Sequence, residues 1–274
     1  MNALAGAMRL DTADAARIVQ LSDTHLMASS GGTLLGLDTD ASLAAVCRLV
    51  ASLAPIDALL LTGDLAGDEA ESAYQRLDQV VSALGVPSFW LPGNHDAVWS
   101  EGHALSHYFQ RSLHLPHWDV LMLNTQHAGA VAGHLDEVEV HALRNAVAQA
   151  ETSGRPLLVA THHPLLPVGS KWLDEIGVQN AAEALEVLAV LGERAVVVSG
   201  HVHQDSAQVH RGVQCLTSPS TCVQFAPMSA EFQLDAMAPG CRELTLHADG
   251  SWETAVHRVT DEMFSVDLNS PGYA

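Results

Sequence analysis

Residues 17–25 read RIVQLSDTH, a short apolar run that ends in Asp23 and His25. The same arrangement returns at residues 58–64, where the run ALLLTG leads to Asp64. Short apolar runs bounded by turn residues are typical of buried strands. On this basis the sequence predicts strands at residues 17–21, 58–61, 88–91, 120–123, 157–160 and 195–198.

Helical patterns separate these predicted strands. Apolar side chains at helical spacing follow Asp40, the predicted N-cap: Leu43, Val46, Val50 and Leu53. Capping boxes are predicted at two later helix starts: Asp136 with Glu139, and Asn180 with Glu183. Strands that alternate with helices indicate an α/β fold built from repeated βα units.

The pattern changes after Gly200, where shorter strands are predicted at residues 213–217, 242–247 and 254–259, with a turn at residues 248–250. This part is expected to be antiparallel. We predict an N-terminal extension at 1–16, a single domain at 17–266 whose strand-rich part begins at about residue 200, and a tail at 267–274. Four cysteines far apart in the sequence are expected to be reduced and mostly buried: Cys47, Cys215, Cys222 and Cys241.

The chain is strongly acidic, with 12 Lys and Arg against 32 Asp and Glu and a formal net charge of -20. Such a balance argues against nucleic acid as a partner, because nucleic acid is bound through neutralisation of its phosphates. No apolar stretch is long enough for a signal peptide or a membrane span. We therefore expect a cytoplasmic protein without integral membrane association.

Five polar clusters stand directly after predicted strands. Loops at the carboxyl ends of strands converge on one crevice in α/β sheets, so the clusters are expected to meet. One such cluster alone is ordinarily a cap or a surface turn, but five in succession indicate a functional site. The clusters are Asp23-Thr24-His25, Gly63-Asp64, Gly93-Asn94-His95-Asp96, His162-His163-Pro164 and Gly200-His201-Val202-His203.

The residue types in these clusters predict a metal site. Carboxylates and neutral imidazoles suit manganese, iron or zinc, and two such ions about 3.5–4 Å apart form a hydrolytic centre. Asp64, on a tight turn after Gly63, is the best placed bridge because a carboxylate has two anionic oxygens. His201 and His203 alternate and are expected on the same side of an extended segment.

In this order and at these separations, the clusters resemble the calcineurin-like metallophosphoesterase superfamily. The segments LSDTHL, LTGDL, PVGSKWLD, GHVHQ and SPSTCVQF are similar to those of the bacterial class III 3',5'-cyclic-AMP phosphodiesterases. The resemblance covers almost the whole chain. It implies a four-layer α/β/β/α sandwich of two mixed β-sheets flanked by helices, and two metal ions, iron or manganese, with zinc as an alternative.

The resemblance also implies a ligand set for each metal. One ion would be held by Asp23, His25, Asp64 and His203, and the other by Asp64, Asn94, His162 and His201. The preference for His162 over His163 follows the family pattern, since the sequence does not show which ring faces inward. Residues 218–225, apolar and rich in hydroxyls, are expected either to pack as a strand or to line the site.

The expected function is a dinuclear-metal phosphodiesterase that hydrolyses 3',5'-cyclic AMP to 5'-AMP by attack of a metal-bridging hydroxide. His95 is the expected catalytic acid and Asp96 its orienting partner. Substrate contacts are expected from His25, Asp64, Asn94, His95 and His203. Alternatives are another small phosphodiester, such as a 2',3'-cyclic nucleotide or a glycerophosphodiester, and a phosphomonoester. A non-catalytic scaffold is disfavoured because no ligand is missing, and a homo-oligomer is left open.

Overall fold

The computed structural model describes residues 4–12, 14–53, 55–97 and 103–272. Residues 1–3 and 13 of the predicted N-terminal extension, and residues 273–274 of the predicted tail, lie outside these ranges. The boundaries of the predicted 17–266 domain stay a prediction.

The larger sheet has seven strands in the order β1-β7-β8-β9-β10-β12-β11. The inner pairs β8 with β9, β9 with β10, and β10 with β12 are parallel, whereas β11 runs antiparallel to β12. Its strands are β1 (Ala7–Arg9), β7 (Ser112–His114), β8 (Asp119–Met122), β9 (Leu157–Ala160), β10 (Ala195–Ser199), β11 (Ser206–His210) and β12 (Val213–Thr217).

The smaller of the two main sheets has five strands in the order β16-β15-β2-β5-β6. The pairs β2 with β5 and β5 with β6 are parallel, and β15 runs antiparallel to both β2 and β16. Its strands are β2 (Ala15–Leu21), β5 (Ala58–Thr62), β6 (Ser88–Leu91), β15 (Gly240–His247) and β16 (Trp252–Arg258). Two small ribbons pair β3 (Thr33–Leu34) with β4 (Leu37–Asp38), and β13 (Gln224–Phe225) with β14 (Leu234–Asp235).

Helices cover the outer faces of both sheets. α1 contacts β15 and β16 of the five-stranded sheet, and α3 contacts β8 and β9 of the seven-stranded sheet. The helices are α1 (Thr39–Ser52), α2 (Glu71–Ser82), α3 (Glu137–Ser153), α4 (Lys171–Asp174) and α5 (Ala181–Leu188), with short 3-10 turns at Ser106–Tyr108 and Gly192–Arg194. The fold is therefore mixed α/β, with two mixed sheets flanked by helices, as the resemblance implied.

Alternation along the inner strands divides the apolar side chains between two cores. In β9, Leu158 and Ala160 join the core between the sheets, while Leu157 and Val159 join the core under α3 and α5. Successive side chains of a strand point to opposite faces, so a strand covered on both sides is apolar throughout. This is why the inner strands were predictable as uninterrupted apolar runs.

One predicted helix cap is wrong, and a second stands at the right residue but lacks its capping bond. The N-cap of α1 is Asp38, whose side chain accepts a hydrogen bond from the amide of Ala41, and Asp40 instead pairs with Arg76. Asn180 precedes α5 but makes no capping bond, because its amide group bonds both backbone groups of Leu135. Tertiary partners thus replaced the local bonds that the sequence pattern favoured.

The remaining capping prediction holds in part. Asp136 accepts a hydrogen bond from the amide of Glu139, as predicted. The Glu139 carboxylate, however, turns inward to Arg111 and to the amide of Asn124. One half of the capping box is therefore formed, while the other half serves tertiary packing.

The pairs formed within the strand-rich part after Gly200 are antiparallel, as expected, but they are divided between different sheets. β12 pairs in parallel with β10 in one sheet, while β15 and β16 form a hairpin in the other. The predicted turn at residues 248–250 does connect this hairpin, and Gly250 adopts a positive φ of 86° there. All four cysteines are free and buried, as expected. Among the described residues, no helix has both the length and the apolar character needed to cross a membrane.

Candidate metal centre

The predicted site residues lie in loops at strand ends of both main sheets. The five-stranded sheet supplies Asp23 and His25 after β2, Asp64 after β5, and Asn94 and His95 after β6. The seven-stranded sheet supplies His162 after β9, and His201 and His203 after β10. The site therefore depends on how the two sheets pack together.

The backbone is strained at these loops. Five of the nine described non-glycine residues with positive φ are predicted metal ligands, with φ between 44° and 66°: Asp23, His25, Asp64, His201 and His203. A non-glycine residue in such a conformation costs about 1–3 kcal/mol and persists only where its surroundings enforce it. β2, β5 and β10 thus end in sharp turns that direct the next polar side chains into the site.

Asp64 lies between side chains of both predicted ligand sets. Its Oδ2 is 3.3 Å from Nε2 of His162 and 3.8 Å from Nε2 of His25. Its Oδ1 accepts a hydrogen bond of 2.9 Å from the backbone amide of His95. One oxygen of this carboxylate therefore faces an imidazole of each set.

Three further ligand atoms converge beside Asp64. Nε2 of His203 lies 3.3 Å from Oδ1 of Asp23 and 3.2 Å from Nε2 of His25. These three residues form one group whose ligand atoms lie within 4.8 Å of one another, and Asp23 with Asp64 and His162 forms a second. The two groups share Asp23, so the predicted sites are adjacent.

The second predicted set gathers around His162 and His201. Nε2 of His162 is 3.2 Å from Oδ1 of Asn94. The His162 and His201 rings lie edge to face, with their centroids 5.1 Å apart. Nε2 of His201 is buried and has no hydrogen-bond partner among the residues that the structure describes.

His162 and His163 differ in what their rings bond. Nδ1 of His162 bonds the carbonyl of Thr62 at 2.8 Å, which leaves Nε2 directed at Asp64. The His163 ring also lies beside His162 and His201, but both of its nitrogens bond other groups, the Thr125 hydroxyl at 2.8 Å and the Val131 carbonyl at 3.0 Å. This arrangement favours His162 as the ligand.

Asp96 is buried, and its carboxylate is saturated with hydrogen bonds. It accepts from the amides of Leu65, Ala66 and Gly93 and from the Tyr74 hydroxyl. These bonds tie the loop after Asp64 to the loop that carries Asn94 and His95. Orientation of His95 by Asp96 stays a prediction.

Burial controls the ionisation of the site. Asp23, His25, Asp64, His162, His201 and His203 are each at most 5% exposed. Burial lowers the pKa of His25 to about 3, so its ring is neutral at neutral pH. For His162, burial would lower the pKa, but the charge of Asp64 raises it to about 9. A cation bound between these two groups would take the place of that proton.

Two glycines leave the space that the site requires. A Cβ at Gly93 would lie 2.2 Å from Oδ1 of Asp64, and a Cβ at Gly63 would lie 2.4 Å from Nδ1 of His162. Gly63 also has a φ of +94°, which side chains other than glycine rarely tolerate. Any side chain at either position would displace a predicted ligand.

Several contacting residues were not predictable from the pattern. The carbonyls of Thr62 and Val223 each bond Nδ1 of a site histidine, and the Ser220 hydroxyl donates to the carbonyl of Asp23. A carbonyl carries no sequence signal because every residue has one. Only the hydroxyl-rich stretch at 218–225 gave a hint, and the structure brings it against the site.

None of the twelve Lys and Arg residues, all of which are described, donates a hydrogen bond to a predicted metal ligand. Several are engaged elsewhere in ion pairs, such as Arg111 with Glu139 and Arg242 with Asp205. An anion at this site would therefore need another source of positive charge.

Known proteins of similar sequence are cyclic-nucleotide phosphodiesterases. A 3',5'-cyclic adenosine monophosphate phosphodiesterase, CpdA, of Pseudomonas aeruginosa is 40% identical over 259 residues, which cover 93% of this chain and 94% of that protein. The Escherichia coli K12 protein of the same name is 38% identical and covers 94% of each chain. A 3',5'-cyclic-nucleotide phosphodiesterase of Nostoc is 35% identical over 88% of this chain and 92% of its own.

Solved structures share the fold at low sequence identity. A dimetal phosphatase from Danio rerio superposes with a TM-score of 0.65 at 12% identity, over 89% of this chain and 99% of that one. A purple acid phosphatase from yellow lupin gives a TM-score of 0.60 at 14% identity, over 93% of this chain and 53% of that one. The sequence model of the calcineurin-like phosphoesterases matches residues 16–205. This chain is thus a member of the calcineurin-like phosphoesterase family.

Proposed function

We propose that this protein is a dinuclear-metal phosphodiesterase that hydrolyses 3',5'-cyclic AMP to 5'-AMP. The observation that carries the proposal is the position of the Asp64 carboxylate between His25 and His162, with two ligand groups adjoining it. The names of relatives that align over nearly their whole length support the choice of substrate.

The donor atoms fit two divalent ions. In the proposal, Asp23, His25, Asp64 and His203 hold one ion, while Asp64, Asn94, His162 and His201 hold the other. The buried Nε2 of His201 and the close approach of two imidazole nitrogens, 3.2 Å in the pair His25 and His203, support this assignment. Oxygen and imidazole donors suit manganese, iron and zinc, and the choice among them stays a prediction.

When bound, the two ions supply Lewis acidity toward the phosphate and lower the pKa of a water that acts as nucleophile. The protein's own residues set the geometry around them. Asp64 holds its Oδ1 on the His95 amide, which fixes the carboxylate plane. Asn94 and His95 are half-buried, whereas the other proposed ligands are buried.

His95 is the proposed acid for the leaving 3' oxygen. Its ring is half-buried and lies edge to face with His25 at a centroid distance of 5.1 Å. A proton from His95 to that oxygen would leave the 3' hydroxyl of 5'-AMP, and the leaving group stays attached to the product. This is the usual task of a positioned histidine in hydrolysis.

The test compares substrates on the Mn²⁺-reconstituted protein. We expect kcat/KM for 3',5'-cyclic AMP to exceed the values for 2',3'-cyclic AMP, a glycerophosphodiester and 5'-AMP, and we expect a chelator to abolish the activity. A preference for 5'-AMP or for another diester would overturn the substrate assignment. Full activity after exhaustive chelation would overturn the metal assignment.

A further inference from the structure

The matched family region ends at residue 205, yet a later segment, Ser220–Phe225, packs against the metal centre. We propose that this segment is a clamp that positions Asp23 and His203, with Gln224 and Phe225 as its positioning residues. The inference rests on the proposed function, because it concerns two of the proposed metal ligands.

The first half of the clamp holds the loop after β2. The Ser220 hydroxyl donates to the carbonyl of Asp23 at 2.8 Å, and the amide of Thr221 donates to the carbonyl of Ser22 at 3.0 Å. Asp23 has a φ of 56°, so its loop is held in a conformation that it would otherwise leave. The two bonds therefore hold the backbone that carries the Asp23 carboxylate, whose oxygens accept from the amide of His201.

The second half of the clamp fixes the ring of His203. Nδ1 of His203 bonds the carbonyl of Val223 at 2.8 Å. The Phe225 ring stacks on the imidazole, with a centroid distance of 4.2 Å and an interplanar angle of 11°. The carbonyl fixes the tautomer and the phenyl face fixes the ring plane, which together aim Nε2 at Asp23.

Gln224 stabilises the conformation of the clamp through hydrogen bonds within it. Its side-chain amide donates to the carbonyls of Ser220 at 2.8 Å and Cys222 at 3.0 Å. Its Oε1 accepts a hydrogen bond of 3.1 Å from Arg258 in β16. Gln224 is 2% exposed, so these backbone groups would find no water to replace the lost bonds.

The clamp acts on one side of the centre. Its hydrogen bonds reach Ser22, Asp23 and His203, whereas the His162 ring is held by the carbonyl of Thr62. A general loss of stability would weaken the binding of both ions together. Loss of the clamp should instead weaken chiefly the binding of the ion held by Asp23 and His203.

The experiment titrates Mn²⁺ into metal-free protein by calorimetry and follows the electron paramagnetic resonance spectrum. We expect the wild type to bind two ions and to show an exchange-coupled pair. Gln224→Leu and Phe225→Leu should each bind one of the two ions about 10-fold more weakly or worse, the usual scale for loss of a ligand's outer partner. At one to two equivalents of Mn²⁺, both variants should show the spectrum of isolated ions.

Asn180→Leu is the matched control. The Asn180 amide also bonds two backbone groups, those of Leu135, but it joins the start of α5 to the segment before α3. It should bind both ions as the wild type does. If Gln224→Leu does not fold, Phe225→Leu alone tests the clamp, because leucine keeps an apolar side chain at position 225.

The outcomes separate the two proposals. A wild type that binds fewer than two ions would overturn the proposed dinuclear centre and the clamp with it. A wild type that binds two ions, together with variants that bind both as tightly or lose both equally, would overturn the clamp alone. The same selective loss in Asn180→Leu would also overturn it.

Discussion

At the scale of single residues, the charge of Asp64 matters as much as its shape. Its two oxygens face the His95 amide on one side and the imidazoles of His25 and His162 on the other. Asp64→Asn keeps the size but removes the negative charge needed between two cations. We expect fewer than two metal ions per chain and a loss of turnover of about 10²-fold or more, measured by metal analysis and steady-state kinetics.

Asp68→Asn is the control for Asp64→Asn. Asp68 lies four residues later, is exposed, and accepts a hydrogen bond from the amide of Ala28 instead of facing the site. It should keep both ions and nearly full turnover. Two tightly bound ions in Asp64→Asn would contradict the bridging role.

His95 should affect the reaction without affecting metal content. The ring is half-buried beside His25, and the backbone amide of His95 donates to Asp64. We expect His95→Ala to lower kcat about 10²-fold, the scale for loss of a positioned acid, with metal content unchanged. His107→Ala, at an exposed histidine in the 3-10 turn, should match the wild type. Unchanged kcat in His95→Ala would remove this residue from the proposed mechanism.

Sequence reasoning could find the candidate ligands because their side-chain types follow strands at regular positions. The residue types alone did not separate His162 from His163, for which only the family resemblance gave a preference, because adjacent residues point in different directions that only the fold defines. The bonds of His163 to Thr125 and Val131 come from a loop about 30–40 residues away in the sequence. The partners of Asp96 were likewise not predictable from the local sequence, since they include Tyr74 of α2.

At the scale of secondary structure elements, strands that are buried along their length were predictable and exposed edge strands were not. β5, β6, β9 and β10 were predicted to within one residue because nearly all of their residues are buried and apolar, and this includes β6, which is the last strand of its sheet. β1 and β11 lie at the two edges of the seven-stranded sheet, and their exposed positions dilute the apolar pattern. Their pairing is set by neighbours that are distant in sequence.

Asp119, the first residue of β8, offers a test of electrostatics at this scale. Burial would raise the pKa of Asp119, but hydrogen bonds from Arg155 and His114 outweigh burial and lower it. Because folding lowers this pKa, the ionised carboxylate stabilises the fold at pH values above the ordinary pKa of an aspartate, about 4. This stabilisation is lost as the pH falls below that value.

We therefore expect Asp119→Asn to cost about 1 kcal/mol of unfolding free energy at pH 7, and progressively less as the pH falls from about 4 to 3. Urea unfolding of both proteins across this range gives the difference directly, and acid effects elsewhere in the molecule cancel in the comparison. Asp14→Asn, at an exposed aspartate before β2, controls for the change in net charge. A difference that stays constant with pH would contradict the ion pair.

At the scale of the whole molecule, the metal centre joins parts that the sequence keeps apart. β12 and β15 are close in the chain but belong to different sheets, so the strand-rich part after Gly200 completes both. The sequence pattern identified these strands but not their sheets, because sheet membership depends on packing between distant elements. The same packing brings Val223 and Ser220 against His203 and Asp23.

This arrangement couples metal binding to global stability. Unfolding separates ligands that lie more than a hundred residues apart, so the unfolded chain cannot retain the ions, and each ion stabilises the fold by about 2.7 kcal/mol at a hundred times its Kd. For a chain of this size, two ions should raise Tm by roughly 10 °C. Calorimetry of chelated protein with increasing Mn²⁺ should show this rise, and Asp64→Asn should show a smaller one. A Tm that does not respond to Mn²⁺ in the wild type would mean that the buried carboxylates and imidazoles hold no ion.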